Sequence, residues 1–180
     1  MTGLRVRFIR HQEISPELRI EIEELDHLAF AGDGIDNDPE FANIRWATPD
    51  WMALGFLHEE LVTQLCMPKR EIMVGVEKIW VAGIGGMATH PKHHHKGYGS
   101  ALLAATEPFI RDEIQVPFGL LICANTTRPF YERARWQHAA NMLYYRQDDQ
   151  RRELHTSVMT LQLQNQTWPA GKIDLCGAPW

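Results

Sequence analysis

Five glycines and a proline crowd the stretch Gly83-Ile84-Gly85-Gly86-Met87-Ala88-Thr89-His90-Pro91-Lys92-His93-His94-His95-Lys96-Gly97-Tyr98-Gly99-Ser100. No other part of the chain limits the fold so tightly. It follows Lys78 to Ala82, an apolar run that reads as a strand, and it leads into Ala101-Leu102-Leu103, the start of a helical stripe. Between Trp80 and Leu103 the spacing therefore predicts a strand, a glycine-bearing turn and a helix start.

Two nucleotide-binding patterns fail here. Gly83-Ile84-Gly85-Gly86-Met87-Ala88 matches G-x-G-x-x-A, but in a dinucleotide fold those glycines must open a helix. His90-Pro91 follows instead, and the proline biases His90 toward extended geometry. The first glycines are expected to lie within the strand, marking a bulge or a close backbone approach. A P-loop needs Gly-Lys-Ser/Thr, whereas here Lys96 precedes Gly97. What remains is His94 to Ser100 as a tight turn entering a helix. Gly97 and Gly99 would let successive N–H groups face one concavity, and the helix end adds unpaired donors, a fit for pyrophosphate without metal. The alternative is two glycines that only make a turn.

The surrounding chain is that of an ordinary globular protein, with 44% hydrophobic and 23% charged residues. A net charge of −5 argues against a nucleic-acid partner and is compatible with a cationic substrate. Cys66, Cys123 and Cys176 form an odd set without CxxC spacing, which points to free thiols in a reducing compartment. There is no signal-peptide pattern and no apolar run long enough to span a bilayer, so a cytoplasmic protein with no membrane partner is expected.

Leu4 to Ile9 alternates like a half-buried strand. Ser15-Pro16 reads as a helix cap, with Leu18, Ile22, Leu25 and Ala29 on the buried stripe, Asp26 among the acidic residues of the other face, and Gly32 as the stop. Asp33 to Pro39 reads as an exposed acidic loop. Trp51–Leu57, Leu61–Met67, Glu71–Val74 and Lys78–Ala82 read as an antiparallel meander with turns near Glu59-Glu60, Pro68-Lys69 and Gly75. Pro108 should kink or bound the helix that begins after Gly99. Phe118 to Ala124 is continuously apolar, as in a strand buried on both faces. Phe130–Ala134 reads as a short helix, and Asn141–Tyr145 and Val158–Leu163 as closing strands.

The run from Thr89 to Glu107 resembles motif A of the GNAT superfamily of acyltransferases, whose loop Gln/Arg-x-x-Gly-x-Gly/Ala binds coenzyme A. His94 stands at the Gln/Arg position. Asn125 follows the buried strand, and Pro129-Phe130-Tyr131-Glu132-Arg133-Ala134-Arg135-Trp136 resembles the second motif, Phe-Tyr-x-x-x-Gly-Phe/Trp, with Arg135 at the glycine. Ala29-Phe30-Ala31-Gly32-Asp33 and the tail ending in Trp180 are similar to the aminoglycoside 2′-N-acetyltransferase branch. Gly85, however, aligns with that branch's catalytic glutamate.

The resemblance implies an α/β, GNAT-like acyl-CoA N-acyltransferase fold: a mixed, mostly antiparallel sheet flanked by helices, residues 1–180 forming one domain whose 167–180 tail closes the acceptor site. It implies acetyl transfer from acetyl-CoA to a primary amine of a small molecule, aminoglycoside-like or a polyamine, by direct attack. A peptide or protein amine, and a non-catalytic coenzyme-A-binding module, are the alternatives. Met87, Ala88 and Thr89 would pair with the pantetheine arm. His94, His95, Lys96, Gly97, Tyr98, Gly99 and Ser100 would hold the pyrophosphate, with Asn125 also at the cofactor. Tyr131 would protonate the leaving thiolate. The carboxylate of Trp180, His90 and Glu59 are the candidate bases, the first favoured by resemblance. Asp33 and Trp180 would meet the acceptor, unless Trp180 is an apolar plug. Adjacent histidines on one loop rarely converge on one ion, so no metal is expected at His93, His94 and His95. A homodimer is the commonest expectation for assembly.

Overall fold

A computed structural model describes residues 3–31, 41 and 43–180. The longest strand organises the rest. β1 (Arg5–Arg10), β2 (Trp51–Leu57) and β3 (Glu60–Met67) form an antiparallel meander, with His58 at φ 54 in the β2–β3 turn. β4 (Lys69–Val74) then follows after Pro68 alone, and β5 runs from Glu77 to Thr89. Thr63 faces Thr89, Cys66 faces Gly85, Lys69 faces Ala82 and Val74 faces Glu77. β3 and β4 are thus one extended partner of β5, and no turn forms at Pro68-Lys69. Proline has no N–H to give the ladder, but its carbonyl still accepts the Gly83 N–H at 2.8 Å. The true reversal is Gly75-Val76, with Gly75 at φ 60.

β5 carries its glycines as extended chain, so the expected strand limit at Ala82 is too short. Leu65 alone separates Gln64 from Cys66, whereas Gly86 and Met87 both separate their partners Ala88 and Gly85. That extra residue is a β-bulge, with Gly86 at φ 53 where an L side chain would be strained. On its other edge β5 pairs in parallel with β6 (Phe118–Cys123), from Val81 opposite Phe118 to Ile84 opposite Leu121. There the two strands part. β6 continues against β10 (Ser157–Gln162) as far as Cys123, while β5 continues against β3.

Helices cover both faces. α1 (Pro16–Phe30) is capped by the Ser15 hydroxyl, which accepts the Leu18 N–H at 3.3 Å, and packs with Ile9, Leu54 and Leu61. Its expected stop at Gly32 and the acidic loop lie outside the described residues. α2 (Tyr98–Phe109) packs on the opposite face through Leu102 and Leu103 against Leu65, Ile84 and Leu121. Pro108 does not end α2. It sits inside the helix, which continues into a π-helical turn, Ile110–Ile114, and stops at Gln115 with φ 60. Buried Ile110 and Ile114 hold that extension against the core. Proline's missing donor is accommodated where the packing outweighs one absent bond.

α3 (Arg128–Arg133), β7 (Gln137–Ala139), β8 (Leu143–Gln147), β9 (Gln150–Leu154) and β11 (Ile173–Asp174) complete the chain. The expected helix Phe130–Ala134 begins two residues earlier, and the strands expected at Asn141 and Val158 are shifted. β7, β9 and β11 carry no clear sequence signal: they are short or charged, and Gln150–Leu154 has no apolar alternation. β11 lies between β4, antiparallel, and β8, parallel. The tail is therefore part of the sheet, and Trp180 is 4% exposed. Asp26 is exposed, as expected for the outer face of α1. It stands four residues after Ile22 and turns toward β3, where its carboxylate accepts the Gln64 Nε2 hydrogen at 3.3 Å. Among the described residues no helix is long and apolar enough to cross a membrane.

Candidate active site

Beyond Ile84, the parting of β5 from β6 leaves Ala88 and Thr89 paired on the β3 side only, among the described residues, with Met87 in the bulge beside them. Their outer N–H and C=O groups line one side of a wedge. Its other side is the end of β6 and the segment after it. There Asn125 is fixed by Ser157, whose hydroxyl donates to Asn125 Oδ1 at 2.6 Å. Thr63 steadies the β5 side: its hydroxyl donates to the Ala88 carbonyl at 2.8 Å and stands 2.9 Å from Thr89 Oγ1.

The glycine turn closes the wide end of the wedge. His94 is extended, His95 is left-handed at φ 61, and Gly97 caps α2 at φ 82. No atom lies within 4 Å of the position a Gly97 Cβ would take, so the turn opens outward. Ala101 N–H bonds to the Gly97 carbonyl at 2.9 Å. By helix geometry the N–H groups of Tyr98, Gly99 and Ser100 then face out of the helix end. Gly99 joins turn to strand: a Cβ there would stand 3.1 Å from both Met87 Cε and Thr89 Oγ1, and 3.8 Å from Phe130 Cζ. The His94 ring is 2.8 Å from the Thr89 carbonyl. Lys96 Nζ lies 3.5 Å from His93 Nδ1, while His93 Nε2 lies 3.4 Å from Glu60. His93 and His94 thus face separate partners, and the described residues contain no group of three or more His, Cys, Asp or Glu placed to hold a metal.

Tyr131 enters from α3 on the same face as α2, with ring centroids 5.0 Å from Phe130 and 6.4 Å from Trp136. Burial, and then the neighbouring Cys123 thiol, push its phenol well above the ordinary tyrosine range. Arg135, at the position of the motif glycine, adopts φ 68, the conformation for which glycine is the usual choice.

The opposite face holds the other candidate residues. Trp180 splits into two parts. Its indole lies in the core and donates to the Leu120 carbonyl at 3.2 Å, directly over Gly83. Its main-chain carbonyl carbon lies 2.6 Å from where a Gly85 Cβ would be, and its oxygen 3.2 Å. A side chain at position 85 has no room while Trp180 is in place. Cys66 is also 3.2 Å from that point, and burial raises its thiol to about 11, so it stays protonated. Of the other candidate bases, His90 Nδ1 accepts the Lys92 N–H at 3.1 Å as a turn cap. Glu59 is exposed and paired with Arg5 at the start of β3, the end away from Cys66 and Gly85. Asp33 lies outside the described residues.

Two residues emerge that sequence reasoning passed over. Gln64 is 2% exposed and Asp26 leans over it, both on the α1 side of β3. Burial raises the Asp26 carboxyl above its ordinary value, against the lowering effect of the Gln64 hydrogen bond. A polar residue inside the apolar run Leu61–Met67 was the available signal. Nearby, Glu21, Glu24, Glu60 and His90 rim a groove of about 230 Å³ floored by Leu25 and Leu61.

The fold is shared with GNAT proteins of known structure. An N-acetyltransferase assigned in Lactobacillus plantarum is 21% identical and superposes with a TM-score of 0.62, over 90% of this chain and 99% of that one. ElaA of Escherichia coli is 16% identical at 0.62, covering 87% and 98%. A GNAT family acetyltransferase of Brucella melitensis, solved with acetyl-CoA, is 13% identical at 0.60, covering 96% of each chain. No curated protein matches the sequence. The family model of nodulation protein A (NodA) does, across residues 3–177. On a GNAT fold, and over nearly its whole length, the chain belongs to the NodA family.

Proposed function

We propose that the protein transfers an acyl group, acetyl from acetyl-CoA in the first instance, to a primary amine of a small molecule by direct attack. The observation that carries this is the parting of β5 and β6 after Ile84 and Leu121, with the Gly97 turn at its wide end. A pantetheine arm carries amides that would pair with Met87, Ala88 and Thr89 as an added strand does. One of their N–H groups would polarise the thioester carbonyl and stabilise the oxyanion. The pyrophosphate would lie on the His94–Ser100 turn and the α2 end. The solved GNAT relative that holds acetyl-CoA agrees with this use of the fold, and NodA membership agrees with acyl transfer in general.

The amine nitrogen attacks the thioester carbonyl carbon, the C–S bond breaks, and Tyr131 gives its phenolic proton to the departing sulfur. The main-chain oxygen of Trp180 beside Gly85 would accept a hydrogen bond from the amine. Carboxylates around the α1–β3 groove favour a cationic acceptor, and an aminoglycoside-like amine or a polyamine is the class we infer.

Coenzyme binding tests this directly. Calorimetric titration should show acetyl-CoA binding to the wild-type protein. Gly97→Val, which forces a β-branched residue into φ 82, should weaken it about tenfold or more. No binding by the wild type at millimolar acetyl-CoA would remove the proposal.

A further inference from the structure

Gly85 leaves the site without the side-chain carboxylate that a proton-removing residue on β5 would supply. The missing function has a candidate one strand away. Gln64 is held in β3 opposite Ala88, the middle residue of the β5 segment that would meet the coenzyme. Its Nε2 donates to Asp26 at 3.3 Å. An ionised carboxylate only accepts, so this contact fixes the amide with nitrogen toward Asp26 and oxygen away from it. Gln64 Oε1 is fully buried and has no hydrogen-bond partner among the described residues. A buried amide oxygen without a donor is destabilising, and an incoming N–H or a bridging water would satisfy it. The carboxyl that this amide touches is Asp26, which is open to solvent on α1.

We propose that Asp26 takes the proton from the acceptor amine, directly or through one water, and that Gln64 is the positioning residue that presents the amine to the thioester. This rests on the amine acyltransfer reading above. The balance is simple. The amine nitrogen forms the C–N bond as the C–S bond breaks, its surplus proton passes to Asp26, and Tyr131 protonates the thiolate. Solvent then returns a proton from Asp26 to Tyr131. An acceptor arriving as an ammonium loses one further proton to solvent through the same carboxylate. The titratable group facing Asp26 from β3 is Cys66, which stays protonated, and β5 presents Gly85, Gly86 and Ala88, which do not titrate. Glu21, Glu24, Glu60 and His90 line the separate groove over Leu25 and Leu61.

Thiol release from acetyl-CoA, measured against pH with spermidine, kanamycin and a lysine-containing tripeptide, tests the assignment. In the wild type, kcat/KM should rise with pH through an acidic limb shifted upward from that of an ordinary aspartate, since the base must be ionised. Asp26→Asn should lower kcat about a hundredfold, abolish that limb and leave acetyl-CoA affinity unchanged. Asp26→Glu should retain the limb. Gln64→Leu should raise the KM for the amine more than it lowers kcat. Burial of the charged form opposes folding here, so Asp26→Asn should melt no lower than the wild type. A structural role predicts the reverse. If the wild type releases thiol and Asp26→Asn does so at an undiminished rate with the same pH profile, the assignment is wrong while the acyltransfer reading stands. If the wild type releases no thiol with any of these amines, both are overturned.

Discussion

Tyr131→Phe is expected to lower turnover by about a hundredfold or more while acetyl-CoA still binds. The phenylalanine keeps the ring that packs against Phe130 and Trp136, so the fold should be unaffected. Only the proton donor is lost. The direction of the phenol's shift matters here. Burial holds Tyr131 protonated to a higher pH than an exposed tyrosine. The acid form that catalysis needs is therefore present across the working range, and loss of the Tyr131 proton should produce no falling limb below pH about 10. Steady-state thiol release across pH, together with coenzyme titration, checks both statements. Full turnover by the phenylalanine variant would take Tyr131 out of the mechanism.

Gly83→Val should be the most destabilising single change in the sheet. A Cβ at position 83 would lie 2.3 Å from two atoms of the Trp180 indole, which is 4% exposed. The ring must leave or the strands must separate. Expelling it loses the burial of a tryptophan, about 3 kcal/mol, and its hydrogen bond to the Leu120 carbonyl, about 1 kcal/mol. For a chain of this length that should lower the melting temperature by roughly 10 °C. Trp180→Ala should cost a similar amount. The double variant should cost clearly less than the sum, because valine then occupies space the indole has left. Simple additivity would show that Gly83 and Trp180 do not share one site.

The legible part of this protein was the part governed by local chemistry. Ser15-Pro16 announces α1, and the unbroken apolar run from Phe118 announces a strand buried on both faces. The order of glycines and Pro91 ruled out a dinucleotide loop before any coordinates, and the strand does run through Gly86 as a bulge. What escaped was set by partners distant in sequence. Pro68 looked like a turn because proline usually interrupts a ladder, yet both its neighbours bind the same strand. Pro108 reads as a kink or the bound of the helix's first part, and the α-helix does give way at Phe109, but buried Ile110 and Ile114 carry the chain on as a π-helical turn that the sequence does not show. β9 and β11 owe their pairing to neighbours and carry no alternation of their own.

The candidate site divides the same way. The proposed coenzyme side is readable because a glycine turn and a β-strand edge are backbone devices that leave marks in sequence. The acceptor side depends on side chains from α1, β3 and the tail that meet only in the fold. Gly85 appeared as a deficiency, but it is the vacancy into which the main chain of Trp180 fits. Asp26 reads as an outer-face residue of α1 and is exposed, yet its carboxylate reaches Gln64, which reads as part of an apolar strand. Each was visible, and neither had meaning without the other.

Thiol release from acetyl-CoA, followed with and without a panel of small amines and peptides, tests the central claim most directly. Amine-dependent release, with one mole of N-acetylated product per mole of thiol, is the predicted result. Acetyl-CoA binding with no amine-dependent thiol release from any member would contradict transfer and leave a coenzyme-binding module in its place.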